Sequence, residues 1–369
     1  MKDMKNERSL DSIRKDINQI DSKMAELFVQ RMRASEAVAD YKRRHGMKIL
    51  DSSRESEVIE RNSSMIDDDT LRSFYITFLK NTMALSRDYQ DKLTFGMKVA
   101  YCGAEGAFAH IATSRLFPSA RKIAYPDFAA AYRAVESGEC DAVVLPVENS
   151  YNGEVGQVSD LMFSGSLYIS GMTDLAVTHD LLALPGVSAE EIKEVVSHPQ
   201  ALAQCADYIK KKGYSAKEYS NTALAAKLVK ETNDRSLAAI ASGEAAEIFG
   251  LEVVESNINA SRQNTTRFAV FSRVKSTHST KEMGVHSIIT FTVRNEAGAL
   301  AKAIEVIGRH GFNMRSLRSR PMKELLWQYY FYVEAEGNID SDEGQKMMEE
   351  LKEYCDRLKS LGTFVKETV

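Results

Sequence analysis

Arg31 is a cation placed within an apolar helical stripe, where it requires an anionic partner. Apolar residues recur at three- and four-residue intervals from Leu10 to Tyr41, a spacing typical of a helix that packs along one side. A charge in that stripe is destabilising unless a protein carboxylate or a bound anion meets it. Lys42 lies within about 20° of Arg31 around the helix, whereas Arg14 lies about 100° away. The three cations can converge only if a second copy of the helix supplies Arg14, so we predict a homodimer or a higher oligomer.

A second helix is expected to begin shortly after Gly46, which ends the first helix. Asp51 could be its N-cap, because a short carboxylate can accept the first free backbone N–H groups. Ser52 and Glu55 could instead form a capping box, and capping would then be the whole role of Glu55.

A third helix is predicted around Phe74–Lys92. It carries Ser86 and Gln90 four positions apart, and therefore on one face. That face could line a ligand site or could simply be solvated.

The order of these polar residues resembles the all-helical chorismate mutase domain. The rest of the chain is similar to the rest of the bifunctional chorismate mutase/prephenate dehydratase family. Together the resemblance covers about residues 8–369. The positions that carry the first resemblance are Arg14, Arg31, Lys42, Asp51, Arg54, Glu55, Ser86 and Gln90.

The resemblance implies a pericyclic rearrangement of the dicarboxylate chorismate to prephenate, with no metal or cofactor. Arg31 and the partner chain's Arg14 would bind the carboxylates, with Arg54 and Ser86 completing the binding set. Catalysis would fall to Lys42 and Gln90, which would donate to the ether oxygen, and to Glu55, which would hold the ring hydroxyl near Asp51.

The bulk composition limits the alternatives. A chain of 369 residues should hold about two or three domains. The net charge of −4 gives no reason to expect nucleic acid or membrane surfaces as partners. Four scattered cysteines without paired spacing argue against zinc or a disulfide framework and favour a reducing compartment. With a polar start and no long apolar run, the protein is expected to be cytoplasmic.

Strand and helix patterns alternate between about residues 97 and 273, which predicts parallel α/β structure. Segments 128–146 and 222–242 share one order of helix, polar turn and small-residue strand. This faint repeat predicts two lobes with a cleft between them, as in periplasmic-type binding proteins.

Three polar stretches would face such a cleft: 146–150, 197–200 with Gln204 one turn later, and 264–268. Each alone has a structural explanation as a turn, a helix cap or a strand edge. Together and in this order they resemble the prephenate dehydratase domain, whose most specific motif is Thr266-Arg267-Phe268.

This second resemblance implies that Thr266 donates a hydrogen bond to the departing hydroxide of prephenate. Candidate carboxylate ligands are Arg267, Ser197 and the backbone amides of the 103–107 turn. The cleft would also be lined by Glu148, Asn149 and Gln204. His110 and His198 are more readily explained as neutral structural histidines, and no cluster has metal-ligand spacing.

After a polar linker at 275–283, residues 285–369 read strand-helix-strand-strand-helix-strand, the ferredoxin-like order. The region resembles the ACT amino-acid-sensing domain, and Gly298, Ala299 and Leu300 fit one of its two phenylalanine-binding motifs. In the second motif, Ser319, Arg320 and Pro321 follow Arg318, where the family usually has glutamate. The resemblance implies L-phenylalanine as effector. The alternative is a module that only dimerises the chain.

The leading hypothesis is therefore a two-reaction enzyme with three domains. An all-α mutase domain (1–95) would precede a two-lobed α/β dehydratase domain (97–273) and an α+β ferredoxin-like regulatory domain (285–369). The rival is a non-catalytic or singly active ligand sensor built on the same domains, since fold alone does not decide function.

Overall fold

The computed structural model describes residues 8–260, 264–276, 284–322 and 328–367. The chain divides after Met97 into two compact units, one helical and one α/β. No helix in the described part of the chain is long and apolar enough to cross a membrane.

Over its described residues, 8–97, the helical unit contains three helices, α1 (Leu10–Arg44), α2 (Ser52–Ser63) and α3 (Asp69–Phe95). The predicted long first helix is confirmed, and it ends just before Gly46, whose φ of +63° is left-handed. The third helix begins at Asp69 rather than at Phe74, because the carboxylate of Asp68 accepts the Leu71 N–H at 2.8 Å and caps it.

Both α1 and α2 pack against α3 within this unit. The apolar stripe of α1 is left largely uncovered in the single chain. Its large apolar members are each at least 40% exposed: Leu10, Ile13, Ile17, Ile20, Met24, Leu27, Val38 and Tyr41.

The α/β unit contains strands β1–β15 and helices α4–α12. In chain order they are β1 (Lys98–Cys102), α4 (Phe108–Leu116), β2 (Arg121–Tyr125), α5 (Phe128–Glu136), β3 (Ala142–Asn149), β4 (Gly153–Glu154), α6 (Gly156–Ser164), β5 (Tyr168–Ala176), β6 (Asp180–Ala183), β7 (Glu194–Ser197), α7 (Pro199–Gln204), α8 (Ala206–Lys212), β8 (Ser215–Glu218), α9 (Thr222–Thr232), β9 (Leu237–Ala241), α10 (Gly243–Phe249), β10 (Glu252–Glu255), β11 (Thr265–Ser272), β12 (Val285–Val293), α11 (Ala299–Arg309), β13 (Asn313–Pro321), β14 (Tyr329–Glu336), α12 (Asp342–Leu351) and β15 (Cys355–Glu367).

Two sheets form the two lobes. The first has the order β5-β11-β3-β1-β2, and the second has the order β10-β6-β9-β7-β8. The sequence predicted parallel sheets, but both sheets are mixed. In the first, β11 runs antiparallel to its neighbours β3 and β5, and in the second, β6 runs antiparallel to β9 and β10. Each lobe has its own buried apolar core.

The C-terminal segment follows the predicted strand-helix order, and its strands lie in the order β13-β14-β12-β15. The end of β15 pairs in parallel with β5, at Lys366 opposite Met172, so this sheet continues that of the first lobe. Buried Ile288, Tyr332 and Phe364 extend the core of the first lobe. Most of the predicted linker, and the first residues of the predicted strand around β14, lie outside the described residues.

Candidate active sites

Arg31, Ser86 and Gln90 come together between α1 and α3. The guanidinium of Arg31 donates to the Ser86 hydroxyl and to the Thr82 carbonyl, the latter at 3.2 Å. Ser86 and Gln90 are 4% and 7% exposed, so they lie on a buried face rather than a solvated one. Burial lowers the pKa of Arg31 from its ordinary value. These two partners of the cation are neutral groups, so its charge remains available to an anionic ligand.

The start of α2 resolves the two capping alternatives. Asp51 is the N-cap, and its Oδ1 accepts the Arg54 N–H at 3.1 Å and the Ser53 hydroxyl at 2.9 Å. The Arg54 N–H and the Ser53 hydroxyl lower the pKa of Asp51. The capping box is wrong, since Ser52 is already the first helical residue.

The side chain of Glu55 points instead to α3, where it pairs with Arg87. Sequence reasoning overlooked Arg87, whose only signal was its place next to Ser86. Lys42 donates from Nζ to the Ile49 carbonyl in the turn before α2. Arg54 turns toward Glu57, with its Nη1 at 2.8 Å from both carboxylate oxygens.

Arg14 does not join this cluster within one chain. It lies seventeen positions before Arg31 on a continuous helix, which is about 26 Å along the axis at ~1.5 Å per residue. Its side chain is 66% exposed, and its Asp11 contact is 3.9 Å long.

A cavity of about 280 Å³ lies between the two lobes of the α/β unit. Its polar lining comes from both lobes and includes Asn149, His179, His198, Gln204, Asn264 and Thr266. The structure therefore brings together residues from each of the three predicted stretches.

Asn149 orients the hydroxyl group of Thr266. The Oδ1 of Asn149 accepts the backbone N–H groups of Tyr151 and Asn152, each at 3.0 Å. The amide can therefore direct only its NH₂ toward Thr266, and Nδ2 lies 2.9 Å from Oγ1. Because Oγ1 accepts this bond, the hydroxyl hydrogen is left for a ligand in the cleft.

Gln204 reaches the same network through Asn264. Its Oε1 accepts from Asn264 Nδ2 at 3.0 Å and lies 2.9 Å from His179 Nε2. His179 is 3% exposed and meets the ring of Phe108 edge-on, with centroids 5.7 Å apart. Burial lowers the pKa of His179.

Sequence reasoning did not single out His179, and it placed Asn264 only within the stretch 264–268. A histidine–aspartate pair interrupting the apolar run 175–184 was the signal for the first.

Arg267 and Glu148 lie outside the cleft, contrary to prediction. Neighbouring residues of a strand point to opposite faces, so Arg267 faces away from the side that Thr266 occupies. Its guanidinium pairs with Asp174 at 2.8 Å, and Glu148 and Glu334 lie 3.8 and 3.6 Å away. Arg267, which was expected to bind the substrate, is therefore paired with carboxylates of the protein itself.

Ser197 and three amides of the 103–107 turn also depart from prediction. Ser197 is fully buried and donates to the Ile240 carbonyl at 2.5 Å, so it does not reach a cleft ligand. In the turn, the N–H groups of Gly103 and Ala107 donate to backbone carbonyls, and that of Gly106 donates to His110 Nδ1 at 3.2 Å. These three amides are therefore unavailable to a carboxylate.

The two histidines considered from sequence have structural contacts. Burial lowers the pKa of His110, which packs beside Tyr101 with ring centroids 5.2 Å apart. His198 caps α7, with Nδ1 accepting the Gln200 N–H at 3.3 Å, and it also lines the cleft.

The altered motif at the end of β13 contacts the first lobe. Arg318 pairs with Glu148 at 2.6 Å, and Arg320 lies 3.3 Å from Asp160 and 3.6 Å from Glu154. Arg318, Arg267 and Glu148 line a second cavity of about 710 Å³. The other predicted phenylalanine-binding motif begins at Gly298. This residue has a φ of +83° and lies directly before α11.

Comparisons with known proteins agree with this division into two sites. A family model described as chorismate mutase type II matches residues 13–91, and one described as prephenate dehydratase matches residues 99–276. The bifunctional chorismate mutase/prephenate dehydratase of Neisseria gonorrhoeae is 31% identical and is aligned over 94% of each chain. Arogenate dehydratase/prephenate dehydratase 2 of Arabidopsis thaliana is 32% identical over 87% of each chain.

Solved structures match the α/β unit. A prephenate dehydratase from Arthrobacter aurescens in complex with L-Phe is 25% identical, with a TM-score of 0.67, covering 73% of this chain and 90% of that one. GqqA, described as a novel type of quorum quenching acylase, is 29% identical with a TM-score of 0.68, covering 73% of this chain and 98% of that one.

A helical unit with a cationic cluster, followed by a two-lobed unit with a polar cleft, defines a protein with two separate small-molecule sites. Together with the matches over nearly the whole length, these sites establish the family. The chain belongs to the bifunctional chorismate mutase/prephenate dehydratase family.

Proposed function

We propose that the chain converts chorismate to prephenate in the helical unit and prephenate to phenylpyruvate in the cleft between the lobes. The observation that carries the second assignment is the Asn149–Thr266 hydrogen bond, which leaves the Thr266 hydroxyl as a donor facing the cleft. Family membership supports both activities and weighs against the ligand-sensor alternative.

In the mutase reaction, the protein needs to hold a dicarboxylate in a compact conformation and to stabilise the charge that develops on its ether oxygen. Arg31, which has neutral partners in the cluster, binds one carboxylate. Lys42 and Gln90 donate to the ether oxygen. Glu55, which pairs with Arg87, accepts from the ring hydroxyl.

The second carboxylate needs a further cation opposite Arg31. We assign this role to Arg14 of a second copy of the chain, because Arg14 and Arg31 of one helix lie about 26 Å apart. The exposed apolar stripe of α1 supports an intertwined homodimer, since an apolar surface of that length is typical of a helix–helix interface.

In the dehydratase reaction, prephenate loses carbon dioxide and its ring hydroxyl, and the electrons of the breaking carbon–carbon bond complete the aromatic ring. The departing hydroxide must acquire a proton to leave as water. Thr266 donates a hydrogen bond to that oxygen, relaying a proton from water, and Asn149 orients the donor. Gln204 lines the same cleft and contacts the substrate through its side-chain amide.

We further propose that the C-terminal segment is an ACT domain that binds L-phenylalanine and inhibits the dehydratase. Its strand order and Gly298–Leu300 motif support this role, as does the likeness to the Arthrobacter aurescens enzyme solved with L-Phe. Arg318 stands where the family usually has glutamate, and it reverses the charge at the second motif. We place the enzyme in the cytoplasm, where its four cysteines would stay reduced.

The testing experiment follows chorismate consumption and phenylpyruvate formation by the purified protein, with and without phenylalanine. Lys42→Ala should abolish mutase turnover while leaving dehydration of added prephenate, and Thr266→Ala should do the reverse. Phenylpyruvate from chorismate would establish both activities. Prephenate that accumulates without phenylpyruvate would show that the α/β unit is a binding module.

A further inference from the structure

We infer that His179 is a positioning residue for the dehydratase cleft: by donating from Nε2 to Gln204 Oε1, it directs the Gln204 NH₂ group toward the ligand. This inference rests on the proposed dehydratase function and names a determinant of substrate binding in that site.

The direction of every hydrogen bond in the network follows from two backbone groups. The N–H groups of Tyr151 and Asn152 can only donate, so the atom of Asn149 that they contact is its oxygen. The Asn149 NH₂ therefore donates to Asn264 Oδ1, at 2.8 Å. The NH₂ of Asn264 is then the group that lies 3.0 Å from Gln204, which must present its oxygen.

The same logic determines the tautomer of His179. Because the Gln204 atom 2.9 Å from Nε2 is an oxygen, Nε2 must carry the hydrogen. The ring is 3% exposed, and Nδ1 is buried without a partner among the described residues. A neutral ring with hydrogen on Nε2 satisfies this site, since a second hydrogen on Nδ1 would have no acceptor there.

The orientation of Gln204 matters because the two ends of an amide have similar size and opposite polarity. His179 and Asn264 both donate to Oε1, which keeps the Gln204 oxygen away from the ligand. An oxygen turned toward a substrate carboxylate would repel it, whereas the NH₂ group donates to it.

Two substitutions separate positioning from packing. The amide introduced by His179→Gln can place an NH₂ group near the position of Nε2, whereas His179→Leu removes the donor and keeps a buried side chain. We expect His179→Leu to lower kcat/KM for prephenate about 3- to 10-fold, the value of one net hydrogen bond, mainly through a higher KM. His179→Gln should stay within about twofold of the parent protein.

Controls on the same samples are the mutase rate with chorismate, which should not change, and the thermal midpoint of unfolding. Equal loss in the two folded variants would overturn the inference, and so would two variants that both match the parent protein.

A spectroscopic measurement tests the tautomer independently of turnover. Imidazole nitrogen shifts of ¹⁵N-histidine protein, with His179→Gln used to assign the signal, should show hydrogen on Nε2 alone. A signal from the Nδ1–H tautomer or from imidazolium would overturn the inference. If the parent protein lacked dehydratase activity, the proposed function would fail, while this spectrum would still decide whether His179 donates to Gln204.

Discussion

Replacing Asn149 by aspartate should reverse its hydrogen bond to Thr266 and remove its donor to Asn264 Oδ1, while the side chain keeps its size. Aspartate has the same size, and one of its oxygens can still accept the N–H groups of Tyr151 and Asn152. The other oxygen replaces the NH₂ group 2.9 Å from Thr266 Oγ1. The Thr266 hydroxyl would then donate to that carboxylate and no longer to the departing oxygen of the substrate.

The size of the effect follows from the role assigned to this hydroxyl. Removing a preorganised donor to a developing oxyanion costs about 10²- to 10³-fold in kcat, or ~2.7–4 kcal/mol. We expect a fall of about 10²-fold for Asn149→Asp, because water in an open cleft can partly replace the donor. KM should also rise, since the new carboxylate faces a dianionic substrate.

The assay is phenylpyruvate formation from added prephenate, with kcat and KM determined separately and mutase turnover as the internal control. Thr266→Val removes the hydroxyl at similar volume, and Thr266→Ser retains it. If Asn149 acts through Thr266, the double variant Asn149→Asp/Thr266→Val should have a kcat close to that of Thr266→Val alone.

A kcat for Asn149→Asp within about threefold of the parent value would refute this reasoning, because the hydroxyl would then not need the amide of Asn149. Multiplicative losses in the double variant would refute it in another way, since they would show that the two side chains act independently.

Further predictions concern the dimer, the altered motif and pH. Mixing inactive Arg14→Ala and Lys42→Ala chains under subunit exchange should restore about a quarter of the parent mutase activity. Half of the dimers would then be mixed, and each mixed dimer would hold one intact site out of two. No recovery would place both residues in the same chain's site. Arg318→Glu brings two carboxylates together where Arg318 now contacts Glu148 at 2.6 Å. The thermal midpoint of unfolding should therefore fall, and the phenylalanine inhibition curve should shift. An unchanged inhibition curve would exclude the altered motif from regulation. Two glutamates of α12 raise the pKa of His310, so its stabilisation is complete below its unfolded pKa and is lost as pH rises through the raised value. The thermal midpoint of His310→Gln should therefore lie further below the parent at about pH 5.5 than at about pH 9, and equal differences would contradict the pairing.

Local signals in the sequence were sufficient for most secondary structure. The stripe from Leu10 to Tyr41 and the break at Gly46 predicted α1, and Asp51 marked the start of α2. Such features depend on neighbours three or four positions away, which the sequence displays directly. The start of α3 was misplaced because the cap at Asp68 was not weighed.

Residue order also indicated which stretches form the dehydratase cleft, but it did not indicate which side chains face it. Thr266 and Asn149 line the cleft, whereas their strand neighbours Arg267 and Glu148 face the opposite side. Side chains alternate between the two faces of a strand, so assigning one face to the cleft would have separated these neighbours. A motif therefore predicts a segment more readily than an orientation.

Only the tertiary structure decided the hydrogen-bond directions in the cleft. His179, Gln204, Asn264 and Asn149 come from segments far apart in the chain, and each amide takes its orientation from a partner that folding brings beside it. The pairing of β15 with β5 likewise joins the C-terminal segment to the first lobe across nearly two hundred residues. Side-chain type and spacing in the sequence determined which groups could do chemistry. The direction in which each group donates depends on long-range contacts, which exist only in the folded chain.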